Sequence, residues 1–143
     1  MGLPDEKSQR FIAILNKKVP TGKLMNALGH MAAGLAGKSG RADDMCFLEY
    51  RDKDGGVHPN ISHFGFIILK ADNSNKIRGV REEAIKRGVV FTDFTSTMTI
   101  GTSQEQQGNT KDTPESELEY YGICLFGTTE ELREFTSKFG LFQ

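Results

Sequence analysis

Short apolar runs alternate with segments of helical periodicity along most of the chain. Residues 11–15 form an unbroken apolar run, which predicts a strand buried on both faces, and residues 64–69 form a second such run. Shorter apolar segments predict strands at 45–50 and 89–91, and a last strand is predicted over 118–126. These five segments are candidates for the strands of one sheet.

Three helices are predicted between and after the strands. The first begins at Thr21, the predicted N-cap, and carries an apolar stripe at helical spacing. That stripe consists of Leu24, Leu28, Met31 and Leu35. A second amphipathic helix over 74–87 is closed by Gly88, and a final helix follows a capping box that begins at Thr128.

Strands that alternate with helices indicate an α/β fold built from βαβ units. We predict a single domain over residues 1–143, with three α/β/α layers and a mixed, largely parallel sheet of four to five strands. Residues 1–9 are predicted to be a flexible N-terminus. Residues 101–117 contain no aliphatic or aromatic side chain, which predicts a polar loop or lid.

Composition narrows the class of protein. Hydrophobic residues make up 37% of the chain and charged residues 26%, as is typical of a soluble globular protein. No apolar run approaches the roughly 18 residues of a membrane span, and no secretory signal is recognised. Cys46 and Cys124 lie in apolar segments, which predicts two reduced, buried thiols and a cytoplasmic protein.

The charge is unevenly distributed. The net charge of −1 argues against a protein whose affinity comes mainly from neutralising many phosphates. Residues 1–41, however, carry seven Lys and Arg against two Asp and Glu. This excess is either a basic patch or a set of simply solvated lysines.

Two turns are predicted to meet at the carboxyl edge of the sheet, where α/β proteins bind ligands. Residues 16–23 lead into the first helix, whose N-terminus carries a partial positive charge, and residues 92–97 form the other turn. Lys23, Asn26 and His30 lie at i, i+3 and i+7, beside the apolar stripe. Their face of the helix either lines a site or faces solvent.

Asp93 admits two interpretations, since it either caps a turn or accepts a proton and orients water. Thr97 is expected to orient a substrate, because a threonine hydroxyl is a poor nucleophile without an adjacent base. Cys46, His58 and His63 match no standard metal-ligand spacing. Dinucleotide, phosphate-loop and nucleophile-elbow motifs are also lacking, so we predict no metal and no cofactor.

Five segments together resemble a bacterial domain-of-unknown-function family (number two thousand). They read FIAILNKKVPTGKLMNALGHMAAGLAG, GGVHPNIS, FGFIILKA, VVFTDFTSTM and LEYYGICLFG, and they span nearly the whole chain. That family is similar in fold to type II peptidyl-tRNA hydrolases, and its biochemical role is not established. The resemblance therefore implies the hydrolase fold, and it implies a homodimer because the hydrolases form dimers.

The resemblance to the hydrolases also implies roles for particular residues. Gly22-Lys23 and His30 match a Gly-Lys pair and a later His in the hydrolases' first helix, and Asp93 and Thr97 match their strand-end Asp and following Thr. The implied catalytic residues are Lys23, Asp93 and Thr97. The predicted binding residues are Thr21, Gly22, Asn26, His30 and Thr95, of which Gly22 and His30 match the hydrolase pattern. Ala27 and Ser96 replace a Gln and an Arg of the hydrolase pattern.

Two functions follow as hypotheses. The first is hydrolysis of an acyl ester such as peptidyl-tRNA or aminoacyl-tRNA, with Lys23 stabilising developing negative charge and Asp93 activating water. The second is a non-catalytic module that binds a small anion or a protein tail in the same cleft. The departures from the hydrolase pattern and the long polar segment 101–117 motivate the second hypothesis.

Overall fold

The computed structural model describes residues 2–143, which form seven strands and four α-helices. The strands are β1 (Gln9–Asn16), β2 (Phe47–Arg51), β3 (Val57–Ser62), β4 (Gly65–Ala71), β5 (Val90–Thr95), β6 (Tyr120–Thr128) and β7 (Gly140–Leu141). The helices are α1 (Thr21–Lys38), α2 (Ser74–Arg87), α3 (Ser103–Lys111) and α4 (Thr129–Thr136). None of the helices in residues 2–143 has the length and apolar character needed to cross a membrane.

Five strands form one mixed sheet in the order β5-β6-β1-β4-β7. Only β1 and β4 pair in parallel, whereas β1 with β6, β5 with β6 and β4 with β7 are antiparallel. The predicted mixed α/β sheet is confirmed, but the expectation that it is largely parallel is wrong. After β5 the chain returns to the same edge of the sheet, where Ser96 N donates to Glu119 O at 2.9 Å. Strand β6 therefore runs back beside β5 without a crossover.

The remaining two strands, β2 and β3, form a separate antiparallel hairpin. Its turn is the predicted one: Asp52 N donates to Gly56 O at 3.0 Å, and Gly55 has φ +87°. Gly56 N also donates to Asp52 Oδ1 at 2.9 Å. The strand predicted at 45–50 thus pairs outside the main sheet.

Helices cover both faces of the five-stranded sheet, which confirms the three layers. Alternate β1 side chains point in opposite directions, because the side-chain period of a strand is two. One face packs against α1 through Phe11, Ala13 and Leu15. The other face packs against α2 and α4 through Ile12 and Ile14.

The bounds of α2 match the prediction. Helix α1 begins at the predicted residue, but another residue is its N-cap. Gly88 closes α2 with φ +68°. Helix α1 begins at Thr21, but its N-cap is Pro20 and no side chain caps it. The Pro20 carbonyl accepts from Lys23 N at 3.0 Å and Leu24 N at 3.1 Å. The prediction that Thr21 is the N-cap is therefore wrong, because the helix already includes it.

The segment 101–117 is predicted to be a polar loop or lid. It contains instead helix α3 and a 3-10 turn at Glu115–Glu117. Thr102 Oγ1 accepts from Glu105 N at 3.2 Å, and the Glu105 side chain accepts from Thr102 N in return, forming a capping box. Helix α3 has no buried residue, so apolar periodicity carries no signal for it. Its role as a lid stays a prediction.

Hydrogen bonds connect the segment before β1 to the rest of the molecule. Thr129 N donates to Ser8 O at 3.0 Å, and the ring Nε2 of His63 lies 2.6 Å from Pro4 O. Met1, which belongs to the predicted flexible segment 1–9, lies outside the described residues. The flexibility of this segment stays a prediction.

Candidate functional site

A cavity of about 810 Å³ opens at the edge of the sheet where β1 and β5 end. One wall is formed by α1, through Gly22, Lys23, Asn26, His30 and Met31. Thr92, Asp93 and Phe94 of β5 form a second wall, and residues 98–106 contribute the third. We call this space the α1–β5 cavity. Its volume is in the range of pockets that hold small ligands.

The polar wall of the cavity follows from the amphipathic character of α1. Its buried face consists of Leu24, Ala27, Met31 and Leu35. Lys23, Asn26 and His30 occupy the neighbouring face and are exposed. The three residues that the i, i+3, i+7 spacing placed on one helix face therefore line one cavity.

The floor of the cavity is aromatic. The His30 ring stacks on Phe94 with their centroids 5.9 Å apart, and the Phe94 ring lies 5.8 Å from that of Tyr121. Phe94 and Tyr121 are buried in the core layer beneath α1. The cavity therefore combines a polar helix face with an apolar base.

The predicted site residues separate into two groups. Gly22, Lys23, Asn26, His30 and Asp93 line the α1–β5 cavity, whereas Thr21, Thr95 and Thr97 are not among its lining residues. The turn predicted at 92–97 is largely strand, because β5 continues to Thr95. The two predicted turns nevertheless meet at one edge of the sheet, since Asn16 Nδ2 donates to Tyr120 O beside the end of β5.

The carboxylate of Asp93 is engaged on the α2 side of the sheet. Arg81 Nε of α2 donates to Asp93 Oδ2 at 3.2 Å, while the adjacent Phe94 packs against α1. This is the alternation expected of consecutive strand residues. Asp93 lies within β5, so the interpretation that it caps a turn is wrong. Its carboxylate forms an ion pair with Arg81, and none with Lys23 within 4.0 Å.

A second ion pair lies near Asp93. Arg78 Nε donates to Glu115 Oε2 at 2.8 Å, and the buried Tyr120 hydroxyl donates to the same oxygen at 2.7 Å. These two hydrogen bonds, with Tyr120 the larger cause, lower the pKa of Glu115, whereas burial and Glu115 raise the pKa of Tyr120. Arg78 also donates to the Leu118 carbonyl at 2.7 Å, which anchors the chain entering β6 to α2.

We expect Asp93→Asn to become more stable relative to the wild type as the pH rises. Burial raises the pKa of Asp93 above its ordinary value of 3.8, although Arg81 opposes the shift. Because the folded-state pKa is raised, the stability contribution of the protonated carboxyl is complete below the unfolded-state pKa of about 3.8 and is lost as the pH rises through the folded-state pKa. Urea unfolding of both proteins at about pH 3.5 and about pH 7 measures the difference.

The matched control for this prediction is Asp72→Asn. The pKa of Asp72 is lowered, chiefly by its hydrogen bond from Lys17 Nζ at 2.8 Å. The wild type should therefore gain stability relative to this variant over the same rise in pH. Differences of the same sign for both variants would contradict the assignment of Asp93 as a buried carboxylate.

The Thr97 hydroxyl belongs to a chain of three hydroxyl groups. It lies 2.7 Å from Thr95 Oγ1 and 2.7 Å from Thr110 Oγ1, and the latter donates to Gln106 O at 2.8 Å. Each hydroxyl has one proton, so Thr97 donates to Thr110 and accepts from Thr95. The chain links the end of β5 to α3 and leaves Thr97 no free proton for a substrate.

We expect Thr97→Val to loosen α3. The variant keeps the volume of the side chain but removes the central hydroxyl, a loss of about 1 kcal/mol. Amide exchange in Ser103–Lys111 should be about fivefold faster, as measured by hydrogen–deuterium exchange mass spectrometry. Thr113→Val is the control, because the Thr113 hydroxyl donates only within the same segment, to Asn109 O. Unchanged exchange in the Thr97 variant would show that the hydroxyl chain does not hold α3.

The sequence matches the model of a family described as "Protein of unknown function (DUF2000)" over residues 9–143. The chain belongs to the DUF2000 family. The match covers the whole α1–β5 cavity and all strands of the sheet, so the cavity is part of the family's domain. Comparison of the DUF2000 chain with curated proteins finds no match.

A solved structure with a similar fold comes from Agrobacterium tumefaciens strain C58, and that protein is described as one of unknown function. The two chains share 14% sequence identity, and the match covers 95% of the DUF2000 chain and 98% of the other, with a TM-score of 0.81. At this identity the likeness concerns the fold alone. The fold of the DUF2000 chain is thus one that a solved structure also adopts.

Sequence reasoning missed the third wall of the cavity in the DUF2000 chain. Ile100 is 79% exposed, and Gln106 comes from α3, the helix that apolar periodicity could not reveal. The sequence signal for this wall was Ile100, a single apolar residue directly before the polar segment 101–117. Arg81, the partner of Asp93, had no signal because it lies on a helix facing the other side of the sheet. Within residues 2–143, no three His, Cys, Asp or Glu side chains are grouped to hold a metal ion.

Proposed function

We propose that the protein binds a small organic anion in the α1–β5 cavity. The observation that supports this best is Lys23, the only Lys or Arg among the described residues that line the cavity. In the described part of the chain, no carboxylate lies within 4.0 Å of its ammonium group. A cation at the mouth of a half-apolar cavity attracts a ligand of opposite charge.

The remaining charges of the cavity support the same ligand. Asp93, the only acidic residue that residues 2–143 contribute to the wall, is paired with Arg81. The first turn of α1 contains no acidic residue, so its N-terminal partial positive charge is uncompensated. An anion near Lys23 would gain from both the ammonium group and the helix end.

The apolar base of the cavity supports a ligand with an apolar body. Met31, Phe94, Met98 and Tyr121 all contribute to the wall, and Ile100 stands exposed above them. Burial of an apolar group here would be favourable at roughly 25 cal/mol per Å². The proposed ligand is therefore amphipathic, with an anionic end at Lys23 and an apolar part on Phe94.

Hydrolysis of an acyl ester, such as that of peptidyl-tRNA, is the second candidate. One observation favours it: Lys23 and Asp93 border the same cavity. Lys23 would stabilise the charge that develops on the carbonyl oxygen, Asp93 would activate water, and Asn26 would orient the substrate. Binding ranks first because the Asp93 carboxylate faces Arg81 and the Thr97 proton is engaged.

A panel of organic acids and their matching amides tests the proposal. We expect acids such as N-acetyl-leucine to raise the melting temperature of the protein, and N-acetyl-leucinamide to have little effect. Turnover of N-blocked aminoacyl-tRNA is measured on the same preparation. Turnover above the blank would favour the hydrolase, and equal shifts with acids and amides would contradict anion binding.

We also propose a cytoplasmic homodimer. Cys46 and Cys124 are free thiols, as suits a reducing compartment. The β2–β3 hairpin exposes Phe47, Tyr50 and Ile61, an apolar surface that self-association would cover. Light scattering should give twice the chain mass of 15.9 kDa. A single chain mass at micromolar concentration would contradict the dimer.

A further inference from the structure

We infer that the anion is the C-terminal carboxylate of an extended peptide, which adds a strand to the outer edge of β5. The inference rests on the proposed function, because it uses the same cavity and the same Lys23. It differs in assigning part of the recognition to the main chain of β5. Addition of a peptide strand to a free sheet edge is an established mode of recognition.

Strand β5 is an edge strand of the sheet and pairs only with β6. Three consecutive residues, Thr92, Asp93 and Phe94, line the α1–β5 cavity. Thr92 and Phe94 contact α1 through Met31 and His30, whereas the Asp93 carboxylate is bound by Arg81 of α2. The cavity therefore borders an edge strand on the face that packs against α1. As an edge strand, β5 presents a row of main-chain N–H and C=O groups that β6 does not pair.

The edge of β5 lacks the usual protection against strand addition. Edges are commonly blunted by short strands, prolines or charged side chains. The opposite edge of the sheet ends in β7, which has two residues, whereas β5 has six and no proline. Asp93 is its only charged residue, and that carboxylate is paired with Arg81. The β5 edge thus has neither a proline nor an unpaired charge where it borders the cavity.

Charge complementarity identifies the end of the peptide. Helix α1 runs antiparallel to β5: Thr92 Oγ1 donates to Met31 O at 2.7 Å, and Phe94 stacks on His30, which precedes Met31 in the chain. Lys23 lies about two helix turns nearer the N-terminus of α1 than His30. Lys23 therefore lies beyond the C-terminal end of β5. A carboxylate at Lys23 belongs to a peptide that runs parallel to β5, with its apolar side chains against Phe94.

Fluorescence polarisation of dye-labelled pentapeptides tests the inference. Five peptides end in Leu, Phe, Ala, Ser or Lys, and each is made as the free acid and as the carboxamide. We expect at least one free acid to bind, its carboxamide to bind about tenfold more weakly, and N-methylation of alternate peptide nitrogens to abolish binding. Lys23→Gln should make acid and carboxamide equal, whereas Lys38→Gln, at the far end of α1, should not.

N-acetyl-leucine, measured in parallel, separates the two proposals. If it binds and no pentapeptide binds more tightly, the peptide inference is overturned and anion binding stands. Binding of the peptides that survives N-methylation would also overturn strand addition. If neither the acid nor any peptide binds, both proposals fail.

Discussion

Replacement of Lys23 by glutamine should lower the affinity of the protein for organic anions by about ten- to a hundredfold. A hydrogen bond to a charged group contributes about 1.5–3 kcal/mol, and glutamine keeps a flexible polar side chain, shorter by one atom, but not the charge. Lys23 is exposed and pairs with no carboxylate in residues 2–143, so the free energy of unfolding should change by less than about 0.5 kcal/mol.

Isothermal titration with N-acetyl-leucine measures this loss, and urea unfolding measures the stability. Lys38→Gln is the matched control, because it removes the same charge from the opposite end of α1, outside the cavity wall. Affinity that is lowered equally by both variants would indicate a general effect of net charge. Undiminished affinity in the Lys23 variant would show that the anion binds elsewhere.

Gly122→Ala should destabilise the protein by about 1–3 kcal/mol. Gly122 pairs with Leu15 on one side and Phe94 on the other, and α1 lies over it. A Cβ there would lie 2.8 Å from Leu15 Cδ2, 2.9 Å from Met31 Cε and 3.0 Å from the Ile14 carbonyl oxygen. The two side chains can shift, but the main-chain oxygen within the sheet cannot.

Gly79→Ala provides the control of opposite sign. Gly79 lies inside α2, where a Cβ would have no neighbour within 4 Å, so alanine should stabilise the helix by about 0.5–1 kcal/mol. Urea unfolding of both variants gives the comparison. A Gly122 variant as stable as the wild type would show that α1 does not depend on close approach to β6.

Local signals were sufficient for α2. Its apolar residues Ile77, Val80 and Ala84 repeat at helical spacing, and Gly88 takes the left-handed conformation that ends a helix. The sheet order needed information that no local window carries. Antiparallel pairing of β6 depends on where α3 and the Glu115–Glu117 turn return the chain, and that segment has no apolar pattern.

In the candidate site, too, local sequence patterns predicted some features, whereas others depended on contacts between distant segments. Helical spacing brought Lys23, Asn26 and His30 onto one face, and all three line the cavity. The prediction for Asp93 depended on its position at a strand end, but β5 continues two residues further, to Thr95. Whether a strand residue faces α1 or α2 depends on register, and a shift of one residue reverses it. The partner Arg81 therefore could not be inferred from sequence.

Two-dimensional ¹H–¹⁵N NMR during titration with N-acetyl-leucine tests the central proposal most directly. We expect the amide signals of Lys23, His30, Phe94 and Ile100 to shift progressively, while those of α4 stay in place. A competing cluster of cations surrounds a smaller cavity at Lys70, Lys76 and Lys138, on another part of the molecule. Shifts confined to those three lysines, or no shifts at all, would contradict anion binding in the α1–β5 cavity.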